Sequence, residues 1–392
     1  MGKKTILLLT VWIALFMQTM VGAQDEQWLQ YHSEREAHRI HPEMGTSILQ
    51  ATTEKPQGVN LPGFKTKQPF FVRWPTPMVE SGSLWIALDR MSEQGKLDLL
   101  YIDSNGNGHL DDEEVVKAYQ TDQYYTNFGP VKVVFQVEDG PVTYHLNFRF
   151  LDYDERKQLY IYSGGWYEGE ITVAGQKKYC VLIDHNTNGT FNDKSLQSSQ
   201  CDRIRIGKKD AQEIAWVGNY IEVDNIYYNI EISVDGAYVK LTQAQDLKFG
   251  TIKVPETITE LAAGGENGLF TFEPEKGIGK LPVGRYRVDH WEIARKDDKG
   301  MRWTLRGTSL GDQGNFEITE SDEASLEIGE PVAGALSVRQ NGDNYEFSKS
   351  LKGSLGEYVR LTADGRDINQ LWKMKVKNEE GTYEKLYPIP DQ

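Results

Sequence analysis

The residues best placed to do chemistry lie in the run Asp103-Ser104-Asn105-Gly106-Asn107-Gly108-His109-Leu110-Asp111-Asp112-Glu113-Glu114. It fits the pattern D-x-[DN]-x-[DN]-G-x5-E at every specified position. Calcium takes roughly six to eight hard oxygens at about 2.3–2.6 Å, and a loop that coils around the ion turns alternate residues inward. On that pattern Asp103, Asn105 and Asn107 supply side-chain oxygens and His109 a backbone carbonyl. Asp111 acts directly or through water, and Glu114 closes the site with two oxygens. Gly108 permits the sharp turn, and Leu110 anchors the loop to the core. A second run, Asp184-His185-Asn186-Thr187-Asn188-Gly189-Thr190-Phe191-Asn192-Asp193-Lys194-Ser195, begins the same way. Asp184, Asn186, Asn188 and Thr190 stand where Asp103, Asn105, Asn107 and His109 do, and Phe191 replaces Leu110. Ser195 occupies the place of the closing Glu, so Asp193 or Asp202 must supply the missing carboxylate, and fewer charges predict weaker binding. Asn188-Gly189-Thr190 also matches a glycosylation sequon, a reading set aside because Asn188 is expected as a ligand.

Two strand-like runs, Leu97–Ile102 and Tyr179–Ile183, lead into these loops, so they are not helix-loop-helix hands. They resemble the EF-hand-like and dockerin-like loops grafted between strands in exported bacterial β-rich proteins, with the string I-D-x-N-x-N-G-x-[LF]-x-D. Ile102 to Asp112 and Ile183 to Asp193 match it throughout. The resemblance covers the loops and their entry strands, and implies an ion more than a function. Its recurrence after similar turns points to an internal duplication with one loop per half.

The elements that must hold the loops are strands. From Phe70 to Leu247, short β-branched and aromatic runs alternate with Gly, Ser and Asn turns at about 8–12 residue spacing, as in sandwiches and barrels. The fold expectation is mainly β: a β-rich calcium-loop domain over 70–248, then an immunoglobulin-like β-sandwich region over 249–392. Residues 24–69 form an arm and connector, with Asp25–Ile40 a short helix or docking arm. Asp112–Tyr119 is the best helical candidate inside the β region. Leu281-Pro282-Val283-Gly284-Arg285-Tyr286-Arg287-Val288 resembles the LPxGxYxL edge of carboxypeptidase-regulatory-like, transthyretin-like sandwiches. That resemblance implies that Pro and Gly turn the chain into a strand whose Tyr packs inward.

Lys3 and Lys4, the apolar run Thr5 to Met17 and the small residues Val21-Gly22-Ala23 have the order of a secretory signal over 1–23. No cysteine near the cleavage point could take a lipid, so the mature chain is expected to be secreted or periplasmic without membrane insertion. The formal net charge is −15, and loss of two lysines with the leader makes it more negative. Such acidity disfavours nucleic acid as a partner and suits cations. The two cysteines, Cys180 and Cys201, bracket the second loop. In an exported chain they invite a disulfide, the alternative being two buried thiols.

Metalloprotease, nucleophile-elbow, P-loop and dinucleotide signatures are missing from the sequence. His32, His38 and His41 gather in the arm. Glu168 and Glu170 lie beside Trp166 and Tyr167, the combination that holds sugars, although alternation along an ordinary strand produces it too. The sequence therefore points to an exported calcium-binding protein with a binding, structural or adhesion role and a glycan or protein ligand. A carbohydrate-active enzyme with its site near Trp166–Glu170 or His290–Trp291 is the alternative.

Overall fold

A computed structural model describes residues 26–388 apart from 139, 343 and 369–372, so the leader lies outside the described residues. The protein is mainly β, built from antiparallel sheets in a sandwich-like arrangement. Short 3-10 turns at Ala37–Arg39, Ser198–Gln200 and Gly311–Gly314 are the helical elements among the described residues. Two helical expectations are corrected here, while the arm does dock on other strands. The arm forms strands Gln27–Trp28 and Gln30–Ser33 before its 3-10 turn. The stretch from Asp112 to Tyr119 holds strand Val116–Lys117 instead of a helix. There Val116 pairs with Leu100 and Lys117 with Leu99, so an edge of the sheet was available to a β-branched residue that a helix would have constrained at χ1.

Half of the described strands fall into two repeats with the same connectivity. In the first, Phe70–Pro75, Ser83–Arg90, Leu97–Ile102 and Val116–Lys117 pair in chain order as one sheet. Tyr125–Val137, Gly140–Tyr153 and Arg156–Ser163 form a meander, closed at the Arg156–Ser163 side by Thr46–Gln50. In the second, Gln30–Ser33, Gly165–Val173, Gln176–Ile183 and Arg203–Gly207 pair in the same order. Tyr220–Val223, Ile226–Ile232 and Tyr238–Gln243 form its meander, closed by Gln27–Trp28. Each loop leaves the third strand of its sheet and returns to the fourth. The duplication is thus present as topology, with one departure from simple tandem order. The arm provides the two edge strands of the second repeat, and the whole first repeat is inserted between those strands and the rest of that repeat.

One large core unites the repeats, running from Leu29 of the arm through Trp74, Phe135, Tyr144 and Phe191 to Val239. A second core gathers Ile252, Leu261, Leu281, Tyr286 and Trp291 from two further sheets. The Pro282-Val283-Gly284 turn carries the chain from Ile278–Pro282 in one of these sheets to Gly284–Lys296 in the other. Tyr286 is fully buried, and its hydroxyl donates to the Pro282 carbonyl at 2.8 Å.

Leu29 lies between the two edge strands of the arm and enters the large core, with its N–H donating to the Ala237 carbonyl at 2.8 Å. Truncation of such a side chain to Ala costs about 2–5 kcal/mol. Removing residues 24–33 would also open two strand edges to pairing with other chains. Leu29→Ala should lower the melting temperature measurably in calorimetry, and the deletion should self-associate on size exclusion. A monomeric deletion variant with unchanged melting would contradict the arm's role in the second repeat.

Candidate metal centre

Both loops are organised around their first residue. Asp103 is 1% exposed and accepts N–H bonds from Asn107 (3.0 Å) and Gly108 (2.8 Å). Asp184 is fully buried and accepts from Thr187 (2.6 Å), Asn188 (3.3 Å) and Gly189 (2.7 Å), with a fourth bond from the Tyr144 hydroxyl at 2.7 Å. The backbone takes the same course in the two loops. Gly106 and Thr187 both have positive φ, as do Gly108 and Gly189. Thr187 takes this conformation despite a β-branched side chain. Its N–H is held by Asp184, and its carbonyl accepts from the Trp74 indole at 2.8 Å. Leu110 and Phe191 are buried, each in a hydrophobic cluster, so both anchors lie where the sequence placed them.

The side chains facing Asp103 and Asp184 are the same in each loop. Asn107 Nδ2 donates to Asp112 Oδ2 at 2.6 Å, and Asn105 Nδ2 reaches the same atom at 3.4 Å. In the second loop Asn186 Nδ2 and Asn188 Nδ2 donate to Asp193 Oδ2 at 2.9 and 2.7 Å. Asp112 and Asp193 are the tenth residues of their loops. Asp111, Asp112 and Glu114 are all exposed, and the side-chain hydrogen bonds of Asn105 and Asn107 run to Asp112. His109 and Thr190 keep the place from which a backbone carbonyl would be offered. The His109 ring accepts from the Asn60 N–H at 3.2 Å, and the Thr190 hydroxyl lies 2.7 Å from Asn188 Oδ1 and 2.8 Å from Asp193 Oδ2.

A further carboxylate braces each loop from behind. Glu113 Oε1 accepts the Ser104 N–H at 2.7 Å and Oε2 the Ser104 hydroxyl at 2.6 Å. Asp202 takes the matching N–H of His185 at 3.0 Å and also that of Asp193 at 2.8 Å. Asp202 is therefore a backbone staple, and Asp193 is the carboxylate that meets the two Asn side chains. The sequence held a signal for this arrangement, because the string shared by both loops ends on Asp112 and Asp193.

These acids are poorly compensated. Burial raises the Asp103 and Glu113 carboxyls above their usual range. Burial pushes Asp184 up to about 7, with Asp193 adding to the shift, and holds Asp202 well above its usual value, with Asp184 and Asp193 contributing. No Lys or Arg forms an ion pair with Asp103, Asp112, Asp184, Asp193 or Asp202 among the described residues. Asn186 Oδ1 is buried with no hydrogen-bond partner. A loop of hard oxygens, with like charges packed together and an orphaned amide oxygen, fits a divalent cation. Amide nitrogen and oxygen exchange places by rotation about χ2, so the Asn groups that now donate to Asp112 and Asp193 can present oxygen when a cation enters.

The expected disulfide is not formed: both cysteines are buried free thiols. Cys180 faces the large core from the middle of Gln176–Ile183. Cys201 Sγ is held by Ser195, accepting its N–H at 3.1 Å and donating to its carbonyl at 3.0 Å. The neck of the loop is closed by Asp202 and Cys201 through hydrogen bonds. Burial pushes the Cys180 thiol up to about 12 and Cys201 up to about 11.

The sugar-site candidates are differently placed. Trp166 is 7% exposed, with His32 stacked on it and His41 edge-on at 4.8 Å. Its indole donates to Glu168 at 3.0 Å, while Glu170 pairs with Lys177 at 3.0 Å. Trp291 is fully buried and donates to Glu357 at 2.9 Å. Neither ring has a free face for stacking on a sugar. Beside Trp291, a ligand atom from each of Glu260, His290 and Glu292 lies within 4.8 Å of the others. There Glu260 already meets His290 at 3.1 Å and Glu292 meets Arg306 at 2.6 Å. No family profile, no curated protein and no solved structure matches the chain.

Thiol titration with a chromogenic disulfide should detect no reactive cysteine in the folded protein and two after denaturation without reductant. Zero thiols after denaturation would mean that the two sulfurs are bonded after all.

Proposed function

We propose that the chain is an exported, non-catalytic calcium-binding protein whose two loops hold structural ions in a duplicated β scaffold, which presents a surface to a glycan or protein ligand. One observation carries this reading. The same four side chains, Asp-Asn-Asn-Asp, converge in both loops at the same spacing, and among the described residues their carboxylates have no basic partner. Asp103, Asn105, Asn107 and Asp112 would hold the first ion with the His109 carbonyl. Asp184, Asn186, Asn188 and Asp193 would hold the second with the carbonyl of Thr190. Calcium would supply charge compensation there and no chemistry.

Strands flank both loops, and this supports a structural role over a signalling one, because calcium sensors move helices. Burial of both tryptophans weighs against the carbohydrate-active alternative. Among the described residues no helix is long and apolar enough to cross a membrane. The proposal of export rests on the leader in the sequence. With Glu114 outside the set, the two loops offer equal side-chain charge, which removes the expectation that the second binds more weakly. Burial of Asp184 and its bond from Tyr144 make that second loop the better preorganised of the two.

Calorimetry on the chelated mature protein should report two calcium ions per chain. Asp112→Asn should abolish the first binding event and Asp193→Asn the second, while Glu114→Gln leaves both. Calcium at about a hundred times its dissociation constant stabilises by about 2.7 kcal/mol per site, so chelation should lower the melting temperature by several degrees. Absence of calcium uptake would sink the proposal, and loss of a site in Glu114→Gln would restore Glu114 as the closing ligand.

A further inference from the structure

A second polar site lies between the 3-10 turn of the arm and the outer face of the first meander. Strand alternation in Gly140–Tyr153 sends Phe148 and Phe150 into the core and leaves Asn147 and Arg149 on the opposite face, where the arm covers them. The result is a cleft of about 140 Å³, lined by His38, Asn147, Arg149, Tyr119 and Tyr162 among others. It is far smaller than the roughly 300–1,000 Å³ of a drug-sized pocket, so its occupant is small.

Three lining groups carry buried polar atoms without a partner: His38 Nδ1, Asn147 Oδ1 and Arg149 Nε. Asn147 is only 4% exposed, and its Nδ2 is already committed to the Glu34 carbonyl at 3.0 Å. Its oxygen is left seeking a donor. Arg149 lies 3.7 Å over the Tyr125 ring, with no carboxylate in ion-pair range among the described residues, and the charge of nearby Asp122 is the one it feels. The other charges of the cleft are spoken for. Arg39 pairs with Glu36 at 3.0 Å, and Asp122 accepts the N–H groups of Tyr124 and Tyr125 at 2.8 Å each. His38 is stacked on Tyr162 at 4.8 Å.

Orphaned buried polar groups are uncommon in native proteins, and three in one cleft call for a ligand that meets all of them. The edge of a guanidinium matches a planar carboxylate. An amide oxygen is satisfied by a hydroxyl donor. We propose that this cleft binds a small hydroxylated carboxylate, the chemistry of an acidic sugar. Its carboxylate lies against Arg149, within reach of His38, and a hydroxyl donates to Asn147 Oδ1. In a chain this acidic, an anion site needs such a locally unpaired cation.

Titration calorimetry of the mature, calcium-loaded chain with D-galacturonate and D-galactose tests this. Galacturonate should bind and galactose should bind at least tenfold more weakly, with the difference shrinking as salt is added. Arg149→Gln should weaken galacturonate at least tenfold, and His38→Ala several-fold. His38 sits on the arm's turn, outside the meander strands, so its variant decides the matter if Arg149→Gln fails to fold. Absence of galacturonate binding, equal binding of galactose, tighter binding of inorganic phosphate, or unchanged affinity in a folded variant would each overturn the assignment.

Discussion

A buried carboxylate at the head of each loop is the constraint around which the rest of the large core is arranged. An ionised carboxyl in an apolar interior is expensive unless donors surround it. Asp184 is encircled by three backbone N–H groups and the Tyr144 hydroxyl. Those donors exist only if the loop coils tightly, and the coil forces Thr187 and Gly189 to positive φ. Tyr144 belongs to the first repeat, and so does Trp74, whose indole holds the Thr187 carbonyl. The second loop is therefore finished by side chains of the first repeat, which explains why one core spans both.

The insertion of one repeat into the other serves the same end. Because the arm supplies the edges of the second repeat, the chain passes through that repeat, builds the first, and returns. Leu29 and Val239 thus share a core with residues distant in sequence. The crossing also leaves the arm's 3-10 turn lying over the first meander, and that covering creates the small polar cleft. The acidic loops and the cleft are two consequences of one topology, which brings polar groups into buried places and then has to satisfy them.

The fold class and the loops were legible because both are local. Alternating runs with Gly and Asn turns specify strands through side-chain period, and the Asp-Asn-Asn-Gly spacing specifies a tightly coiled loop. Leu110, Phe191 and Tyr286 were likewise readable as inward anchors. The carboxylate that meets the Asn side chains was less accessible. Whether Glu114 or Asp112 meets the Asn side chains depends on the element that comes after the loop. The short segment beyond Asp112 carries helix-compatible residues until the neighbouring strand at Leu99–Leu100 pairs with it. The shared ending of the two loops on Asp112 and Asp193 was the clue.

The cysteines, the arm and the cleft were beyond a local reading, each for the same physical reason. Proximity in sequence placed Cys180 and Cys201 at one neck, but strand alternation turned Cys180 into the core and a backbone contact kept Cys201 on Ser195. The arm's pattern suits a strand only where an open edge exists, and those edges are formed by residues far along the chain. Arg149 is an ordinary outward arginine until the arm lies over it. By itself the sequence determined the strand-rich character, the two coiled loops and the residues that point inward, since period and turn chemistry act over a few residues. Tertiary structure alone decided which carboxylates meet, which thiols stay apart and which polar atoms are buried without partners, since those outcomes depend on what packs against each residue from elsewhere in the chain.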